Sequence, residues 1–219
     1  MKRTAHTAHT ALEGSTILLG VSGSIAAYKA CLLVRALVTR GASVHVLMTR
    51  NACAFVTPMT FQTLSRNPVT SSLFDQVEEW EPGHVALADK ADVLVVAPAS
   101  ANVLARLACG LADDALTSVA LAFRGPVVVA PAMNAGMYAH PATVANLRTL
   151  RSRDVHVVEP GTGDLACGSG PGRLADTEVI VAAVARAHAA PQQSKQASRP
   201  QASDEGGRAI ASSSLPASS

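Results

Sequence analysis

Rings are scarce in this chain. Its 219 residues include four Phe, two Tyr and one Trp, 3% in all, against 48% hydrophobic residues overall. A core with so few rings has to be filled by Ala, Val and Leu, as in a parallel sheet sandwiched between Ala-rich helices. Charge is sparse too: 16% of residues, net +2. Apart from Arg148, Arg151 and Arg153 at one expected helix end, Lys and Arg are scattered. That leaves no basic stripe, and no nucleic-acid partner is expected. The four cysteines, Cys31, Cys53, Cys109 and Cys167, form no CxxC pair and no zinc-ligand spacing, so no metal site is expected. No apolar run is long enough to span a membrane, and MKRTAHTAHTALEGS lacks the apolar segment of a signal peptide. The expectation is a soluble cytoplasmic protein with reduced thiols and no membrane contact. There is no internal repeat, and the length suits one domain.

What is present alternates. Thr16 to Val21 reads as a strand, Ser22-Gly23-Ser24 as a turn, and IAAYKACLLVRALVTRG as a helix. Further strands are expected at Ser43–Thr49, Val93–Pro98, Pro126–Ala130 and Val155–Glu159. Helices fall between them: from about Ala52 to Leu64, His84 to Lys90, one or two between Ala101 and Phe123, Pro141 to Arg151, and finally Thr177 to His188. Unbroken apolar strands separated by helices predict an α/β fold, a doubly wound parallel sheet with helices on both faces in a single domain. Three regions follow: a loose arm over 1–14, the domain over 15–190, and a disordered Ser-, Gln- and Pro-rich tail over 191–219. Cys31 and Cys109 lie on apolar helices and are expected in the core.

Unusual residues gather at the strands' carboxyl ends, where ligands bind in such folds. Gly23 and Ser24 open a helix and could seat a phosphate on its N–H groups, or form an ordinary tight turn. No Walker lysine follows, and the second strand ends in Met48-Thr49-Arg50 without the acidic residue that takes a dinucleotide ribose, so a phosphate-bearing mononucleotide is favoured. Ser100 and Asn102 could bond a ligand, or Ser100 could simply cap its helix. In PAMNAGMY, Asn134 offers donors and an acceptor beside Met133 and Met137, though Asn is also a common turn residue. His84, at a helix start, could act as a base or stand as a solvated cap. From Pro160 to Asp176 the chain holds Gly161, Gly163, Gly168, Gly170 and Gly172 around Cys167. A segment so rich in glycine reads as a flap whose thiol meets a ligand on closing, or as a mobile loop with an incidental cysteine.

Taken together, GVSGSIAAYK, GHVALADKAD, PASAN, PAMNAGMY and ACGSGPGRLAD resemble the flavin-dependent cysteine decarboxylases, over about Ile17 to Ala187. Five motifs in order make the resemblance specific. It implies a Rossmann-like protomer, trimers or multiples of trimers, and FMN bound between protomers. Carried over by motif, Gly23, Ser24, Ile25, Thr49, Ser100, Ala101, Asn102, Val103 and Ala132 would contact the flavin. Asn134 would hold the substrate carboxylate, with Met137 and Ala166 beside the substrate. His84 and Cys167 would be catalytic.

The activity implied is FMN-dependent decarboxylation of phosphopantothenoylcysteine to phosphopantetheine, in coenzyme A biosynthesis. Losing CO2 from a plain cysteine would strand a carbanion; oxidising the thiol first makes an electron sink. Other branches imply oxidative decarboxylation of a C-terminal peptidyl cysteine, or a non-catalytic flavin-binding regulator. Retention of His84, Asn134 and Cys167 together favours the first. The expected partners are this small-molecule substrate, further copies of the chain, and a phosphopantothenate-cysteine ligase expected as a separate protein. The chain departs from the resemblance at Asp113-Asp114-Ala115-Leu116-Thr117, where an Asn often stands in place of Asp114.

Overall fold

The computed structural model describes residues 11–72, 83–166 and 168–190. The first strand, β1 (Thr16–Val21), lies at the centre of a parallel six-stranded sheet. Its companions are β2 (Ser43–Met48), β3 (Val69–Thr70), β4 (Val93–Ala99), β5 (Val127–Pro131) and β6 (His156–Val157), in the order β3-β2-β1-β4-β5-β6. Period-2 alternation sorts the side chains into two cores. Ile17, Leu19, Val21, Val93 and Val95 face one way, with Phe61 and helices α1 (Ala27–Thr39) and α8 (Thr177–Ala189). Leu18, Leu94, Val96 and Val129 face the other, with α4 (Ala101–Cys109), α5 (Ala115–Ala122) and α7 (Pro141–Arg151). The expected doubly wound α/β architecture is therefore present, and every residue of β4 is buried.

Several boundaries differ for identifiable reasons. The helix expected from about Ala52 breaks into a 3-10 turn (Ala52–Ala54) and α2 (Pro58–Ser65). Pro58 forces Thr57 into extended backbone and then opens α2 as its first residue. The stretch from Ala101 to Phe123 splits at Gly110, which ends α4 with φ 72°. Asp114 starts α5 through a capping box with Thr117 and pairs with Arg106 at 2.6 Å. It is thereby a structural residue, which is how a carboxylate is accommodated there. Residues 11–14, within the expected arm, form a turn that buries Leu12 completely. The tail expected over 191–219 lies outside the described residues. Cys31 is half-buried against the first core, and burial pushes its thiol pKa up. Cys109 corrects the expectation: it ends α4 and is exposed. No helix among the described residues is long and apolar enough to cross a membrane.

Candidate active site

The strand order reverses direction between β1 and β4, and the loops leaving their carboxyl ends diverge to opposite faces. That divergence opens a crevice. Its rim is stitched by hydrogen bonds. Ser22 Oγ, fully buried, donates to the Pro98 carbonyl at 2.7 Å and accepts the Ser100 N–H at 2.8 Å. Ser24 Oγ donates to the Ala132 carbonyl at 3.3 Å, and the Ala132 N–H donates to Ala99 at 3.1 Å. Gly23 is required here because an added Cβ would lie 2.5 Å from Asn51 Cβ and 3.2 Å from its carbonyl carbon.

The crevice is a cavity of about 490 Å³, inside the roughly 300–1,000 Å³ range of small-molecule sites. Its walls are mostly apolar, with Ile25, Tyr28, Phe55, Ala101, Met133 and Met137 among them. Ser24, Ser100, Asn134, Lys29 and Arg173 also line it. Apolar walls suit a flat ring system, and hydroxyls with two cationic residues suit a phosphate. The residues present therefore fit a phosphorylated heteroaromatic cofactor such as FMN. Among the described residues there is no group of three His, Cys, Asp or Glu able to hold a metal.

Asn134 opens the short helix α6 (Ala135–Ala139), where its Oδ1 accepts the Gly136 N–H at 2.8 Å. With Oδ1 spent on the cap, the end that suits a carboxylate is the NH2. Beside it the glycine-rich segment folds back as an antiparallel hairpin of β7 (Gly161–Asp164) and β8 (Ser169–Arg173). Strands this poor in side chains are weak alone; they mark close backbone approach. Here β8 lies on the Asn134 turn, with the Met133 N–H donating to the Gly172 carbonyl at 3.0 Å. The hairpin also contributes Asp164, Leu165 and Ala166 to the cavity wall.

No residue of α6 is buried, so its hold on the body of the protein depends on its edges. Tyr138 supplies one: its Oη donates to Glu159 Oε2 at 2.8 Å, while Arg151 pairs with the other oxygen of Glu159. Burial first, then the hydrogen bond and charge of Glu159, push the Tyr138 phenol from 10.0 up to about 12. A folded pKa above the unfolded one means that this contribution is whole below about pH 10 and is lost as pH rises towards about 12. Titration of phenolate absorbance is expected to show a late ionisation near 12 that Tyr138→Phe removes. An ordinary titration of Tyr138 would refute the Glu159 contact.

Of the expected flavin contacts, Gly23, Ser24, Ile25, Ser100, Ala101 and Ala132 line the cavity, as do Asn134, Met137 and Ala166. Three others do not. Thr49 is 7% exposed and spends its Oγ1 accepting the Ala52 N–H at 3.2 Å, Val103 is in the second core, and Asn102 is exposed on α4. Ser100 lines the cavity and also caps α4 through Val103 N–H. His84 falls in α3 (Gly83–Lys90) with its side chain outside the described structure, and Cys167 lies outside the described residues. Sequence reasoning missed Tyr28, Lys29, Phe55 and Arg173. A signal existed for Tyr28: Ile25, Tyr28 and Leu32 form an apolar row at helical spacing, and they are 56, 56 and 57% exposed.

The Flavoprotein family matches residues 5–188. The Coenzyme A biosynthesis bifunctional protein CoaBC of Vibrio cholerae is 48% identical over 172 residues, 78% of this chain and 43% of that protein. The chain thus spans less than half the length of the relatives it matches in this group. The crystal structure of the FMN-dependent cysteine decarboxylase SpaF superposes with a TM-score of 0.70 at 33% identity, covering 81% of this chain and 98% of that one. A cysteine-to-serine mutant of PPC decarboxylase, complexed with pantothenoylaminoethenethiol, gives 0.70 at 32% identity, covering 78% and 96%.

Proposed function

Because the chain belongs to the Flavoprotein family, whose fold it shares with FMN-dependent cysteine decarboxylases, we propose that it binds FMN and decarboxylates phosphopantothenoylcysteine to phosphopantetheine. One observation carries this reading: Ala166, next in sequence to Cys167, lines the same cavity as Ser24 and Asn134. This supports a site in which the flavin, the substrate carboxylate and the Cys167 thiol meet.

Bound in the cavity, FMN would supply reversible two-electron oxidation of the substrate thiol, which lets the electrons left by CO2 delocalise onto sulfur. The NH2 of Asn134 holds the carboxylate in place until it departs. Cys167 Sγ gives its proton to the carbon that lost CO2, and the saturated thiol is reached because the two electrons that bound FMN would take up in the oxidation would be returned to the sulfur-bearing carbon. His84 orients the substrate thiol. The hairpin, latched on Met133, keeps water from the reacting carbon. The substrate contains an amide joining phosphopantothenate to cysteine, so a ligase has to precede this step.

The experiment is a mass spectrum of phosphopantothenoylcysteine after incubation with the purified, flavin-loaded protein. Loss of CO2 alone supports the proposal. Loss of CO2 together with two hydrogens would move the reading to an oxidative decarboxylase acting on peptidyl cysteine. Intact substrate would overturn both for this compound. Cys167→Ser is expected to keep its flavin and to accumulate the enethiol; full conversion to phosphopantetheine would remove Cys167 as proton donor. The pantothenoylaminoethenethiol held by the cysteine-to-serine PPC decarboxylase is the kind of product this predicts.

Self-association belongs to the same proposal. Ile25, Tyr28 and Phe55 line the cavity and stay about half exposed, and Leu32 and Met59 extend this apolar surface one turn along α1 and α2. A surface of this kind beside a ligand site favours burial by another copy of the chain. Light scattering is expected to give a mass that is a multiple of three chains. A monomer that still binds FMN would refute it.

A further inference from the structure

The buried hydroxyl at the bottom of the crevice has no role in the chemistry above, yet it joins the two loops that diverge there. Ser22 is 0% exposed, so it can touch neither cofactor nor substrate. Its Oγ is both donor and acceptor across 76 and 78 residues of sequence, to the Pro98 carbonyl at 2.7 Å and from the Ser100 N–H at 2.8 Å. The Ser22 N–H adds a third bond to Pro98, at 3.3 Å. Sheet pairing cannot supply this link. The β1–β4 register ends at Gly20 and Val96, and β4 is irregular between Val96 and Ala99. Beyond that point the two loops are joined by the 3.3 Å backbone bond and by the two shorter bonds of the Ser22 hydroxyl.

We propose that Ser22 is the positioning residue of the cofactor cradle. It locks the Gly23–Ser24 turn to the Ser100–Ala101 turn before any ligand arrives. The inference rests on the reading of this cavity as an FMN site. A single small hydroxyl suits the task because it accepts from the part-buried Ser100 N–H while giving the buried Pro98 carbonyl its shorter bond; without it the Ser100 N–H loses this partner and the carbonyl keeps only the 3.3 Å bond from the Ser22 N–H. The cradle residues on either side, Ser24 and Ser100, are then held at a fixed separation. A ligand gripping both turns binds without first having to order them.

The test uses the full-length holoprotein and follows FMN release by recovery of flavin fluorescence on dilution, well below the melting temperature. Ser22→Ala is expected to release FMN about 10-fold faster or more. Ser22→Thr, which keeps the hydroxyl, should stay within about threefold of wild type. A purely structural role would lower the melting temperature of Ser22→Ala and leave the release rate unchanged; that result overturns the inference. Should Ser22→Ala fail to fold, hydrogen exchange on the flavin-free wild-type chain decides. The Ser100 amide should be protected without FMN, and free exchange there would mean that the link is not preformed. A wild-type chain that takes up no FMN overturns the cofactor reading and this inference with it. Unaltered release from Ser22→Ala overturns this inference alone.

Discussion

Asn134→Asp is expected to fold, to hold FMN as tightly as the wild type, and to lose decarboxylation by about 10³-fold or more. The substitution is nearly isosteric and spares the local structure. Asp is as good a helix cap as Asn, so the bond from the Gly136 N–H at 2.8 Å is kept. A carboxylate at the start of α6 is also favoured by the helix dipole. On the proposed reading, what changes is the face that Asn134 turns to the substrate. The NH2 donor disappears, and a negative charge takes its place opposite the carboxylate that has to be seated. Two like charges about 4 Å apart at an effective dielectric near 20 repel by about 4 kcal/mol, which is already roughly 10³ in rate or affinity. Steady-state kcat/KM, read beside the flavin absorbance and the melting curve, separates this from unfolding. Asn134→Ala loses donor and cap but adds no charge, so it should fall between the two. Wild-type turnover in Asn134→Asp would take Asn134 out of the substrate site.

The parts legible in the sequence were those that repeat a simple period. Strands β1, β4 and β5 are unbroken apolar runs because both faces of the sheet are covered. The crevice followed from the alternation of strands and helices, since its place depends only on strand order. What the sequence could not show were contacts made by small residues across long separations. Ser22 reads as an unremarked turn residue, because nothing local tells that its hydroxyl spans to Pro98 and Ser100. Thr49 stood at the right strand end, but the 3-10 turn that follows takes its hydroxyl inward to Ala52. The segment from Pro160 to Asp176 carries strand-poor composition, so it reads as a flap; its hairpin is specified by the surface it lies on. In α1, by contrast, the information was present. Ala27, Ala30, Val34 and Leu37 are buried while Tyr28, Leu32 and Ile25 just ahead of the helix are exposed, so the apolar sequence extends around the helix beyond what one chain can bury.

Gly172→Ala is expected to cut kcat/KM by about 100-fold while FMN stays bound. An added Cβ would sit 2.3 Å from the Met133 carbonyl oxygen and 3.3 Å from its carbon. Both obstacles are backbone, and Met133 lies only two residues past the end of β5, so neither can swing aside as a side chain would. The residue also has φ +127°, a conformation that L side chains rarely adopt. The strand β8 therefore has to lift, and the 3.0 Å bond from the Met133 N–H to the Gly172 carbonyl breaks. That bond ties the hairpin to the Asn134 turn; the Ser24 and Ser100 side of the cavity is held separately by Ser22, which is why FMN should remain. Gly168→Ala is the control. It too has positive φ, +84°, but nothing lies within 4 Å of its added Cβ. It carries the conformational cost without the collision, and should lose activity only severalfold, as suits a cost of about 1 kcal/mol. Equal losses in the two variants would mean that hairpin strain, and not docking on Met133, limits the reaction. A far larger loss at Gly172 would tie turnover to closure of the hairpin over the Asn134 turn.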